Sequence, residues 1–194
     1  MGNKTNLEKR LYFFVPYNIS EIQKGIQAGH AGLRYARKFG EKDPEVWDFI
    51  DNHETWIILN GGTTNGRTRP EVINLRETED PYQGSLNNLY VKIIDWNVKN
   101  PNDHINCASF QEPDLNDALT AICFICDERV FNYEKYPDYL TYLRDIRNIV
   151  TFGEKRSLDE LKEAFPKAYT AWTKSLGGLK NVFLRNLLKG KKLA

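Results

Sequence analysis

Leu11-Tyr-Phe-Phe-Val15, then Pro16, then Ser20-Glu-Ile-Gln-Lys-Gly-Ile-Gln-Ala-Gly-His30-Ala31 is the stretch that decides the fold. The first run is aromatic and β-branched and is closed by a proline, which cannot donate to a sheet ladder. It reads as a buried strand stopped at Pro16. A helix is expected at once. Ser20 with Gln23 has the form of a capping box, in which hydroxyl and amide each satisfy an orphan N–H of the first turn. At helical spacing Gln23, Gln27, His30, Arg34 and Arg37 share a polar stripe, and Ile22, Ile26, Gly29, Leu33 and Ala36 share an adjacent apolar one. Gly25, Gly29 and Gly32 are poor helix formers, and the expected offset is close approach to a sheet, a second helix or a ligand.

Working outward, Asp43 and Pro44 open a short helix through Val46, Trp47 and Ile50, with Asp43 as N-cap and Pro44 at the first helical position. Glu54-Thr-Trp-Ile-Ile-Leu-Asn60 is the second strand, ended by Gly61-Gly62. Residues 63–83 are polar, contain Gly and Pro, and carry Arg67, Arg69 and Arg76; they read as a long excursion. Ser85 caps a helix through Leu86, Leu89, Tyr90, Ile93 and Ile94, which Pro101 ends. Residues 105–110 and 118–125 are strand candidates joined by the turn Glu112-Pro-Asp-Leu-Asn-Asp117. The order is β-α-α-β-α-β-β, which implies a largely parallel sheet with helices on its faces and one antiparallel strand at the short last connection. Beyond Tyr133 the pattern is helical: 136–150, a capping box at Ser157-Leu-Asp-Glu160, and a final helix at 179–188. The expected division is an α/β domain over 1–134 and a helical extension with a basic tail over 135–194.

With 194 residues and 41% hydrophobic content the chain can bury a full core. Lysine plus arginine number 27 against 26 acidic residues, so any nucleic-acid footprint must be local. The charge is uneven, because Lys180, Arg185, Lys189, Lys191 and Lys192 lie in a stretch without acids. Such a tail suits phosphate, or the solvated C-terminal end of a helix, where cations are favourable. No run has the apolar length of a membrane helix and the start has no signal-peptide core, so a cytoplasmic chain with no membrane partner is expected. Three cysteines argue against a disulfide framework. Cys123 and Cys126 stand three apart on an apolar strand and point to opposite faces, so they read as core thiols rather than a metal pair. His104, Cys107 and Glu112 make too weak a trio for a metal site, and no cofactor is expected.

A strand, a helix bearing Gln27-Ala-Gly-His30-Ala31, and later Glu112-Pro-Asp114 with Leu119-Thr120-Ala121 before a closing strand resemble the type II peptidyl-tRNA hydrolases, most nearly their divergent, often phage-encoded members. The resemblance runs from about Arg10 to Phe131, interrupted by the excursion. It implies a three-layer α/β/α fold with a mixed, mostly parallel four-stranded sheet, to which the helical extension is added. It implies also a host-cytoplasm location, tRNA or other RNA as partner, and hydrolysis of the ester between a peptide and tRNA. The family's catalytic lysine falls at Gln23 here, with Lys24 displaced by one residue, and a one-residue helical step turns a side chain by about 100 degrees. The family's acid corresponds to Glu112, with Asp114 a further candidate, and its threonine to Thr120.

Ester hydrolysis needs a positioned water, an acceptor for its proton and donors for the developing oxyanion. Glu112 or Asp114 is the candidate acceptor; Lys24, Gln27 and Thr120 are the candidates for orienting water or stabilising charge. Ser20, Gln23, His30, Arg34, Arg67, Arg69, Lys189, Lys191 and Lys192 are the candidate binding residues, with His30 read first as a packed histidine. The other class is a catalytically silent protein that uses the same cleft to hold RNA, a nucleotide or a host protein; oligomers fit either class.

Overall fold

The computed structural model describes residues 7–64, 86–148 and 157–194. Among them the elements run β1 (Lys9–Val15), α1 (Glu21–Phe39), α2 (Pro44–Asn52), β2 (Trp56–Asn60), α3 (Leu86–Lys99), β3 (Ala108–Glu112) and β4 (Ala118–Asp127). The helices α4 (Glu128–Phe131), α5 (Tyr139–Thr141), α6 (Leu158–Ala164), α7 (Pro166–Ser175) and α8 (Leu179–Leu188) follow. This is an α/β protein with a four-stranded mixed sheet in the order β2-β1-β4-β3. β1 and β2 pair in parallel through the α1–α2 crossover, and β3 and β4 pair antiparallel through the short turn, as the spacing of the elements predicts. Residues 65–85, which hold most of the 63–83 excursion with Arg67, Arg69 and Arg76 and also the Ser85 cap, lie outside the described residues.

The chain divides into two units, one of Glu8–Ile125 with Lys189–Ala194, the other containing Cys126–Leu188. The division falls within β4, and the last residues group with the sheet. Asn60 N–H donates to Lys192 O at 2.9 Å, Ala194 N–H donates to Ile58 O at 3.1 Å, and Leu193 bridges Leu59 antiparallel. These bonds occupy backbone groups of the edge strand β2, which would otherwise present an open template for association.

Local signals place the ends of the elements. Ser20 and Gln23 form the full capping box of α1, and Asp43 caps α2 with Pro44 in its first turn. The inward side of α1, however, is not the apolar stripe. Its buried residues are Lys24, Gln27, Ala28, Ala31, Gly32 and Tyr35, while Ile22 is 78% exposed, Ile26 48% and Leu33 72%. The reason is volume. The sheet beneath α1 presents Leu11, Phe13, Val15, Phe110 and Cys123, and α1 meets them with small residues. A Cβ on Gly32 would already touch the Trp56 and Phe13 rings at 3.4 and 3.5 Å, so only the alanine and glycine side seats closely. Gly25 and Gly29, expected to allow close packing, have nothing within 4 Å of an added Cβ. α3 takes the opposite face, where Ser109, pointing away from the Ala108 and Phe110 side, has its hydroxyl 3.4 Å from Tyr90 Oη.

In the second unit the expected continuous helix over 136–150 is α5 running into a π-turn at Tyr142–Ile146; residues 149 and 150 lie outside the described residues. The core there is Tyr139, Leu143, Leu161, Trp172, Leu176 and Val182, and the Ser157 capping box opens α6 as the sequence predicts. Gly177 sits at φ +85° with Arg129 where a Cβ would be, so both its backbone and its surroundings require glycine.

Candidate functional site

β3 is the edge strand beside β4, and alternation along it places Ala108, Phe110 and Glu112 on the α1 face. β4 does not keep simple alternation. Phe110 pairs with Ala121 while Gln111 pairs with Leu119, so Thr120 is an extra residue, a β-bulge. From Cys123 and Ala121, which face α1, strict alternation would turn Thr120 away. The bulge turns it back toward α1, where it is fully buried.

Three residues predicted from sequence meet there. Thr120 Oγ1 donates to Gln27 Oε1 at 2.6 Å, and Gln27 Nε2 donates to Glu112 Oε2 at 2.7 Å. Gln27 is buried and Glu112 half-buried, so the carboxylate stands at the mouth of the contact. The hydroxyl occupies the amide oxygen and thereby fixes which end of the amide faces Glu112. Glu112 must accept at Oε2, and its other oxygen remains to take a proton from a water or a substrate group.

The other candidates are placed differently. Asp114 lies exposed in the 3-10 turn Pro113–Leu115 and does not join the trio; the left-handed Asn116 and Asp117 that follow mark this segment as turn chemistry. Lys24 is buried but directs its ammonium to Glu21 at 2.8 Å. Ser20 and Gln23 satisfy one another in the cap, Ser20 N–H donating to Gln23 Oε1 at 3.1 Å. His30 is exposed and meets Phe110 edge-on, ring centroids 4.4 Å apart. Arg34 lies over the same ring at 4.4 Å and donates to Ser109 O at 3.3 Å.

Sequence reasoning does not single out Arg37 and Lys38 as binding residues. With Arg34, Ala108 and Ser109 they line a depression of about 540 Å³. Their spacing from Arg34 on the helix is the available signal; the missing information is that β3 runs beside this half of α1.

The basic tail is corrected in part. Arg185 is buried, its guanidinium donating to Arg129 O at 2.9 Å and Tyr136 O at 2.7 Å and lying 4.1 Å over the Tyr133 ring. It ties main-chain carbonyls of its own unit together and is not a phosphate contact. Lys189, Lys191 and Lys192 are exposed beside the β2 edge, and partial burial of its ammonium pulls Lys191 below the usual lysine range. Cys107, Cys123 and Cys126 are free and buried; burial pushes the Cys107 thiol up to about 12 and the other two upward as well. Among the described residues no group of three or more His, Cys, Asp or Glu side chains is placed to hold a metal, and no helix is long and apolar enough to cross a membrane.

The class defined by fold and contacts is an α/β protein with a mixed sheet and a Thr–Gln–Glu relay between its first helix and its closing hairpin. No protein-family model matches the chain, and comparison with curated proteins finds no significant match.

Proposed function

We propose that this chain is a type II peptidyl-tRNA hydrolase-like protein of three-layer α/β/α build that cleaves the ester between a peptide or acyl-amino acid and tRNA. The observation that carries the reading is the Thr120–Gln27–Glu112 relay, because it unites residues from both motifs on which the resemblance rests. Glu112 accepts the proton of the attacking water, Gln27 holds the carboxylate, and Thr120 holds Gln27 in the one amide orientation that can do so. His30 and Arg34, next along the α1–β3 seam, offer an imidazole and a guanidinium plane of the kind on which unpaired RNA bases stack.

A specific observation favours the second reading, a catalytically silent relative that binds RNA, a nucleotide or a host protein. Lys24 is held by Glu21 and Gln23 is engaged in the cap, so neither brings its side chain to the relay. Incubation with a labelled N-acyl-aminoacyl-tRNA separates the two. Release by the wild type, abolished in Glu112→Gln and kept in Asp114→Asn, is expected of the hydrolase. Absence of release above the Glu112→Gln background rejects it in favour of binding alone.

A further inference from the structure

Between α1 and β3 the contacts follow one line. Gln27 meets Glu112, His30 meets Phe110, Arg34 meets Ser109, and beyond them Arg37 and Lys38 border the depression of about 540 Å³. α1 therefore runs antiparallel to β3 along this seam. Arg34 stands seven residues after Gln27, a rise of about 10 Å along a helix. Ser109 to Glu112 covers about the same distance along a strand. Both measures put the depression about two helical turns from the relay.

Arg34, Arg37 and Lys38 are exposed, and none forms an ion pair among the described residues. Cations often gather at a helix C-terminus to offset its free carbonyls. Here two of the last carbonyls already have donors, Ala36 O from Gly40 N–H at 2.8 Å and Phe39 O from Lys42 and Asp43 N–H at 3.0 and 2.8 Å, and Gly40 O accepts from Trp47 Nε1–H at 2.8 Å. That lessens the demand of the helix end for cations, and all three side chains line the depression. Arg34 is fixed by the Phe110 ring and by Ser109 O, so part of the ordering a ligand would demand is already in place.

We infer that the depression bordered by Arg34, Arg37 and Lys38 binds a backbone phosphate of a single-stranded RNA segment, with the strand passing His30 toward Glu112. The inference deepens the tRNA reading and rests on it only for which end of the strand reaches Glu112. A separation of about 10 Å is the reach of a nucleotide or two, so the contacts register the terminal nucleotides rather than a distant helix. The exposed imidazole of His30 between the relay and the cations, and the planar guanidinium of Arg34 at the near edge of the depression, suit unstacked bases better than a folded protein surface.

The test is fluorescence anisotropy of the full chain with a labelled single-stranded RNA oligonucleotide carrying no ester, over about 50 to 200 mM salt. Arg37→Glu/Lys38→Glu is expected to weaken binding at least about tenfold and to flatten the salt dependence by about 0.7 in log–log slope for each phosphate no longer neutralised. Lys92→Glu/Lys99→Glu makes the same charge change at exposed lysines of other surfaces and is expected to stay near wild type. Circular dichroism checks that both variants fold, and Arg37→Ala/Lys38→Ala supplies a milder pair. Equal weakening in the two charge-reversed variants, no wild-type binding at low salt, or displacement by inorganic phosphate as effective as by unlabelled RNA overturns the inference. The hydrolase reading fails separately: RNA binding that depends on Arg37 and Lys38 without ester release leaves this inference standing. Release by a chain whose RNA affinity ignores both residues removes it alone.

Discussion

Gln27 and Glu112, 85 residues apart in the chain, share a 2.7 Å hydrogen bond in which the amide nitrogen donates and the carboxylate accepts. The pairing follows from α1 lying along β3 and from Glu112 occupying the last strand position, where it pairs with Ala118. Sequence pattern puts Glu112 in the turn and the strand at 105–110; the strand is Ala108–Glu112, which brings the carboxylate onto the sheet and leaves Asp114 in solvent.

Thr120→Val keeps the shape of the bulged residue but removes the hydroxyl that fixes Gln27. The amide oxygen then loses its donor in a buried place, and a drop of about 1–3 kcal/mol in urea-unfolding stability is expected. Thr120→Ser, which keeps the donor, should lose less. Equal stability of the valine variant and the wild type would show that the relay contributes nothing to the fold.

Leu33→Lys and Ile22→Lys should change stability by no more than about 0.5 kcal/mol, because both side chains stand on the solvent side of α1. Ala31→Leu, on the same helix but fully buried, should cost about 1–3 kcal/mol by overpacking. Thermal unfolding of the three variants checks the orientation of α1 directly; the reverse order would mean that its apolar stripe faces the sheet.

Asp48 accepts a hydrogen bond from Lys9 and a second from Asn52, and these, Lys9 foremost, hold its carboxyl below the usual carboxylate range against a smaller opposing cost of burial. A carboxyl lowered on folding adds stability that is present above its unfolded pKa and is lost as pH falls through its folded one. Wild type should therefore exceed Asp48→Asn at neutral pH, and the gap should close on acidification past the ordinary carboxylate range. A gap independent of pH would assign the difference to packing instead.

All three cysteines should resist a thiol reagent in the folded protein at mildly alkaline pH and react together once it is denatured. Burial disfavours each thiolate, with Cys107 pushed up to about 12. Rapid labelling of any one of them in the native state, followed by mass spectrometry, would contradict the burial of that thiol.

The extent to which sequence suffices is clearest in α1 and the hairpin. Capping residues and proline positions act within a few bonds, so Ser20, Asp43, Pro44 and Ser157 mark their helices from sequence alone. Which side of α1 goes inward is a different matter. Periodicity names a stripe, but the partner surface chooses the face, and Phe13 with Trp56 leaves room for Ala28, Ala31 and Gly32 rather than Ile22, Ile26 and Leu33. Only the tertiary structure likewise joins Leu193 and Ala194 to the edge of β2, takes Arg185 out of solvent, and inserts Thr120 as a bulge. Each depends on backbone and volume contributed by residues far away in the chain, and the bulge that turns Thr120 to Gln27 depends on how β4 must register against β3, which neither strand specifies by itself.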